Sequence, residues 1–296
     1  FSLSLYMKLF MHIYEPVYTR YNERDEEVEK MKIKEYFRML RVKEWIKFFT
    51  LVPLTGAVLA HATPPILILV GVIFFCVIGY GFVINNYFDV EIDRRHTQKV
   101  MLGKNPLSTG KVTKKGTFML MSLLLAIPIA LSCFLTLNGL LFTLLSIAFF
   151  TLYSMRYIRL KERFIVDIIT HGLMFGVFPF LAGFTLAGGV LNTLTLLIAS
   201  LFMIVGCGAL LTHQINDYEE DFGNSSTTVV RAGLKRGWAL LLFFVLLSIA
   251  NLELIAYCCD IGMMLHSGAF AYLIAYPLYT CRGELQGVIS NYSCAE

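Results

Sequence analysis

Lysine and arginine are missing from four long stretches of this 296-residue sequence: 48–93, 116–155, 164–230 and 237–281. Charge is scarce overall, with 16% charged residues against 57% hydrophobic ones, where soluble domains carry roughly 25% charged residues. That scarcity excludes a soluble globular domain, which could not hide so much apolar surface. The seven cysteines include no CxxC pair, so a metal or disulfide framework is not indicated and most read as small packing residues. No basic stretch is interleaved with aromatics on a polar module, which excludes nucleic acid as a partner. No cleavable signal sequence is evident.

What is present is arranged around those gaps. All 25 Lys and Arg fall into five groups: Lys8–Lys47, Arg94–Lys115, Arg156–Arg163, Arg231–Arg236 and Arg282. Each gap between groups is long enough for two crossings of about 20 residues and a tight turn. The turns fall at His61–Pro65, Leu137–Gly139, Gly188–Asn192 and Cys259–Gly262, none of which carries Lys or Arg. By the positive-inside rule every basic group is cytoplasmic. Spans are therefore expected near 46–62, 66–93, 117–135, 139–156, 164–187, 192–221, 237–257 and 262–280.

The predicted fold is an all-α integral membrane protein, a single multi-pass bundle of eight to nine transmembrane helices. Two four-helix pseudo-repeats are expected around a central cavity open at the cytoplasmic face. Residues 1–31, with an acidic run at Glu23–Glu27, form an N-terminal segment of unassigned role. Residues 32–45 place Ile33, Phe37, Leu40 and Trp45 at helical spacing among cations, an interfacial amphipathic helix contacting membrane lipids. The bundle occupies 46–280, and 281–296 are a cytoplasmic C-terminal segment or the start of a ninth helix. The basic face suits anionic head groups or a phosphorylated substrate.

The second and sixth spans both end in acids. Asn85, Asp89 and Asp93 recur every fourth residue, as do His213, Asp217 and Asp221, so each set shares one helix face. Like charges at that spacing repel, and carboxylates near hydrocarbon are costly. Four aspartates in two such ranks need a cation between them. Mg2+ fits, because it takes oxygen ligands and is held by one or two carboxylates plus substrate phosphates. Each rank precedes a basic loop able to meet a diphosphate. His171 and Asp167, one turn apart, could pair with each other or face the cavity, and are read first as structural polar residues.

These motifs resemble those of the UbiA superfamily of intramembrane prenyltransferases. That family's NDxxDxxxD is matched by Asn85-Asn86-x-x-Asp89-x-x-x-Asp93, and its DxxxD by Asp217-x-x-x-Asp221 followed by Ser225-x-x-Thr228. A basic residue before Pro-Leu-x-x-Gly is matched by Lys104 through Gly110, and a Tyr-Ser with a nearby Lys by Tyr153-Ser154 and Lys161. Asn86, His213 and Ser225 depart from the usual residues, and the family has nine spans where eight are counted here.

The resemblance implies transfer of a prenyl group from a prenyl diphosphate to a hydrophobic aromatic or lipid acceptor. It implies Mg2+ held by Asn85, Asp89, Asp93, Asp217 and Asp221, the four aspartates being the catalytic set. Lys104, Lys161 and Arg94 would meet the departing diphosphate, and Tyr153 would lie against the allylic cation. Two alternatives stand beside this reading. One is a membrane transporter using intramembrane acids, although acids at helix ends rather than midplane count against it. The other is a relative that transfers phosphoribose to a polyprenyl phosphate.

Overall fold

The computed structural model describes residues 33–94, 103–223, 225–259 and 261–283. The acidic run at 23–27, Arg95–Lys99 of the first basic loop, Asn224, Asp260 and the segment 284–296 lie outside the described residues. Eight apolar helices follow the expected order: α1 Leu51–Leu59, α2 Pro64–Phe88, α3 Lys114–Leu135, α4 Leu137–Ser154, α5 Val166–Leu186, α6 Thr193–Asn216, α7 Leu234–Cys258 and α8 Met263–Thr280. Six of them, α2 to α7, are long and apolar enough to cross a membrane. With nine residues, α1 is too short alone, and α8 carries His266 and Pro277.

Helix starts are chemically marked. Pro64 and Pro65 open α2, where a missing N–H costs nothing. Thr113, Thr136 and Asn192 cap α3, α4 and α6 by accepting from Gly116, Gly139 and Thr195 amides. Thr136 is also the whole connection between α3 and α4, so the turn falls one residue before the expected Leu137–Gly139. Its hydroxyl donates to the Thr185 carbonyl at the end of α5. That bond fixes the turn against the same end of the bundle as Gly188 and Gly189.

α1 and α5 meet through backbone rather than side chains. A Cβ on Gly183 would sit 1.9 Å from the Pro53 carbonyl oxygen, and one on Gly56 2.2 Å from that of Phe180. Small residues permit this approach, as expected where lipid offers no hydrophobic drive for helices to pair. α5 changes pitch on the way: Leu173–Val177 form a π turn. Pro179 cannot donate to the Phe175 carbonyl, and the widened turn accommodates that loss.

Two expectations are corrected. The interfacial segment is not one helix, because residues 33–39 are helical and the chain breaks at Arg41, which has φ 50°. Trp45 Nε1 takes the Leu40 carbonyl at 2.6 Å, so that carbonyl leaves the helical pattern. Met39, Leu40 and Trp45 are buried against the bundle while Ile33 and Phe37 face outward. The two acid-bearing helices are also not continuous. α2 ends at Phe88 and α6 at Asn216, and single turns Val90–Asp93 and Tyr218–Asp221 follow. The hinge residues are Asp89 (φ −94°, ψ 4°) and Asp217 (φ −93°, ψ 6°). The same break thus falls at the same motif position in the two acid-bearing segments.

Candidate active site

The polar loops gather at one end of the bundle and are held by specific bonds. Arg94 Nε donates to the Ser108 carbonyl, closing the 103–113 loop. Asn105 is buried and its amide donates to both the Asn86 carbonyl (2.8 Å) and Asp93 Oδ2 (2.9 Å). Asp93 is thus seated under this loop. Asn86, the departure from the family pattern, points away from the acids and donates to the Met39 carbonyl. Lys104 is half-buried on the same loop.

In the second half the corresponding anchor is Asp167. It is fully buried, and it accepts from the Ile168 amide, Gln214 Nε2, the Thr228 amide and the Thr228 hydroxyl. Asp167 therefore does not pair with His171; it ties the start of α5 to the end of α6 and to the loop after the second motif. Burial explains the donor count, since a carboxyl group taken out of water costs free energy unless its oxygens are hydrogen-bonded.

Asn85 and Asp89 meet the third polar loop. Lys161 Nζ donates to Asn85 Oδ1 at 2.8 Å and also closes on Asp89 Oδ2. Arg159 approaches Asp89 Oδ1 at 3.4 Å and bonds Glu162 at 2.5 Å. Ser154 donates to Asn85 from the end of α4. Burial pulls the Lys161 ammonium below its ordinary pKa, and Asp89 offsets part of that fall. The loop is bent to aim these cations inward. Arg159 (φ 39°) and Ile165 (φ 66°) are left-handed on either side of the turn Leu160–Glu162. For a β-branched residue this costs about 1–3 kcal/mol; the Ile165 amide is held by the Thr228 hydroxyl at 2.6 Å.

Beside this cluster lies a cavity of about 230 Å³. Asn85 and Tyr153 line it from the first half, and His171 and His213 from the second. Its walls are aromatic: Phe49, Phe82, Phe150 and Phe175, with Phe49 and Phe175 ring centroids 4.1 Å apart. Arg41 and Glu44, joined as an ion pair, also line it, and the Arg41 guanidinium lies over Phe82 at 5.2 Å.

The structure thus brings together Asn85, Asp89, Tyr153 and Lys161 of the expected residues. Asp217 and Asp221 follow α6 at the matching hinge, where Asp217 is exposed. Among the described residues no three Asp, Glu, His or Cys side chains converge as a preformed metal cage. Arg159, His171 and the Arg41–Glu44 pair join the site although the spacing of motifs did not single them out for it. For Arg159 the signal was membership of the Arg156–Arg163 group, without anything to say which cation turns inward.

Residues 48–284 match the UbiA prenyltransferase family. The chain belongs to that family. It is accordingly a prenyltransferase, and an integral multi-pass membrane protein. The UbiA chain is 27% identical over 216 residues to the digeranylgeranylglyceryl phosphate synthase of Methanocaldococcus jannaschii, covering 72% of this chain and 71% of that one. It is 29% identical over 213 residues to the synthase of the same name from Methanococcus aeolicus, covering 70% of each. Among solved structures, a UbiA homolog from Archaeoglobus fulgidus bound to GPP and Mg2+ aligns with a TM-score of 0.72 at 20% identity, over 83% of this chain and 86% of that one. The apo UbiA homolog from Aeropyrum pernix K1 aligns with a TM-score of 0.68 at 19% identity, over 80% and 88%. At these identities the structures establish a shared fold.

Proposed function

We propose that this UbiA protein transfers a prenyl group from a prenyl diphosphate to a hydrophobic acceptor within the membrane, with Mg2+ as the required ion. The observation that carries the reading is the double clamp on Asp89, whose two carboxylate oxygens face Lys161 and Arg159 at the edge of an aromatic cavity. A diphosphate offers those cations better partners, and the aromatic walls suit a hydrocarbon chain rather than a phosphoribosyl group.

The residues fit the ion. Asn85 and Asp89 supply hard oxygen donors, which Mg2+ prefers. Arg159 keeps a buried Nε without a partner beside Asp89, a donor left over for an incoming anion. The lack of a preformed cage among the described residues agrees with an ion held by few carboxylates and completed by substrate phosphates. Asn85, Asp89, Asp93, Asp217 and Asp221 would hold Mg2+, which when bound supplies charge stabilisation to the departing diphosphate. Lys161 and Arg159, with Lys104, bind the diphosphate oxygens and stabilise their growing charge as the allylic C–O bond breaks. Tyr153, Phe150 and Phe175 face the cation-like carbon and exclude water. Arg94 holds the 103–113 loop in place.

A lipid acceptor is the favoured choice. Two relatives bear the name digeranylgeranylglyceryl phosphate synthase, which describes a glyceryl phosphate carrying two prenyl chains. The acceptor proposed here is a glyceryl phosphate carrying one prenyl ether. The test is incubation of the purified protein with Mg2+, labelled prenyl diphosphates of several lengths and either this lipid or aromatic acids, with products read by mass spectrometry. A doubly prenylated glyceryl phosphate is the expected product. An exclusively aromatic product would overturn the lipid choice, and absence of any prenylated product would overturn the whole reading.

A further inference from the structure

His171 stands in the cavity wall with one nitrogen committed and one not. Its Nδ1 lies 2.8 Å from the Gly206 carbonyl oxygen. A carbonyl only accepts, so Nδ1 carries the proton, and the neutral ring presents a bare lone pair at Nε2. Nε2 has no hydrogen-bond partner among the described residues, although the residue is only 6% exposed. The ring is held in place by Phe175, 4.6 Å away, and by Phe49 at 6.1 Å. Nε2 is not sealed off from solvent, and the residue lines the cavity shared with Asn85 and Tyr153.

From this geometry we infer that His171 is a catalytic residue, the base that receives the hydroxyl proton of the acceptor. The inference rests on the prenyl-transfer reading and narrows it to acceptors that carry an O–H. Only a donor satisfies a bare Nε2, so the occupant brings a hydroxyl to that point. In the transfer, the bond from the prenyl C1 to the diphosphate oxygen breaks and its electron pair leaves with the diphosphate. The acceptor oxygen forms the new bond to C1 while its proton passes to Nε2. The imidazolium returns that proton to water or to the released diphosphate when the products leave. Two steps, ionisation of the donor and capture by the acceptor, thus fall to different residues. Asn85, Asp89 and Lys161 serve the first, and His171 serves the second.

The test uses the full chain in detergent with Mg2+, geranylgeranyl diphosphate and singly prenylated glyceryl phosphate, and follows inorganic diphosphate and prenyl ether separately. A positioned base contributes about 10²–10⁴-fold. His171→Phe is therefore expected to slow ether formation by about 100-fold or more, while prenyl diphosphate affinity stays within about threefold. The slow release seen without the acceptor, in which water bonds C1 and gives the prenyl alcohol and a proton, should continue, so the ratio of diphosphate released to ether formed rises. His171→Gln, which can accept the hydroxyl hydrogen bond but not keep the proton, should fall between. Ether formation within fivefold of wild type in His171→Phe overturns the inference, as does parallel loss of ether and diphosphate release. If His171→Phe does not fold, His171→Gln and His171→Asn decide by the same two rates. A wild-type protein that releases no diphosphate from any prenyl donor overturns the prenyl-transfer reading itself, a different result from an active wild type matched by its variants.

Discussion

Lys161 reaches back 76 residues to Asn85 Oδ1 and places the same ammonium on Asp89. A lysine thus touches the two side-chain oxygens that the family motif assigns to metal. Its ammonium keeps the carboxylate oriented, and on the proposed function the binding of ion and diphosphate would exchange these partners. Lys161→Met should accordingly weaken prenyl diphosphate binding by about tenfold or more, equivalent to about 1.4 kcal/mol. Calorimetric titration with a non-hydrolysable analogue and Mg2+ measures it. An unchanged Kd would remove Lys161 from the diphosphate.

The two hinge aspartates should behave as one unit. Asp89→Asn and Asp217→Asn are each expected to abolish turnover nearly completely, with the double variant little worse, because groups that act together are non-additive. Steady-state rates of the three variants, with thermal unfolding as the folding control, test this. Near-normal activity in either single variant would return that residue to the status of a helix-end charge.

Asp167 should matter for stability first. Asp167→Ala leaves Gln214, Thr228 and the Ile168 amide without their buried acceptor, a loss of at least about 3 kcal/mol at 1–3 kcal/mol per stranded group. Unfolding in detergent should shift down markedly for Ala and less for Asn, which keeps one acceptor oxygen. Equal midpoints for wild type and Asp167→Ala would contradict the anchor.

Sidedness is checked by impermeant thiol labelling of single cysteines at Gly110, Ser225 and Gly189 on a background without native cysteines. Gly110 and Ser225 are expected to react from one side of sealed vesicles, and Gly189 from the other. Gly110 and Gly189 labelled from the same side would break the two-crossings-per-gap topology.

The helix order could be read from the sequence because Lys and Arg avoid whole stretches, a signal of solvation that tertiary packing does not blur. The acid ranks were legible for a similar reason: a four-residue repeat of carboxylates has a local cost that stands out. The breaks at Asp89 and Asp217 were not, since no Gly or Pro marks them and the backbone still bonds Asp93 to Asp89 and Asp221 to Asp217 at the helical interval. Arg41 and Arg159 were also hidden, because each turns on a left-handed backbone angle at a residue type that rarely adopts one. His171 and Asp167 were visible as a pair one turn apart, but only the packing of α6 and the Thr228 loop sends them to separate partners.

The brevity of α1 bears on how the protein reaches its membrane. Nine residues at 1.5 Å each make a helix of about 14 Å, about half of a 30 Å hydrocarbon layer. Residues 46–50 ahead of it are turns, whose polar backbone lipid would not tolerate uncovered. An insertion machinery that weighs one segment at a time finds little in Leu51–Leu59 to retain. α2, with 25 residues and an apolar stretch long enough to cross a membrane, is a strong signal a few residues later. Entry of the two as a hairpin would answer that shortfall, with α1 then packing where Gly183 of α5 meets Pro53. The partner that covers α1 is a helix synthesised more than a hundred residues after it.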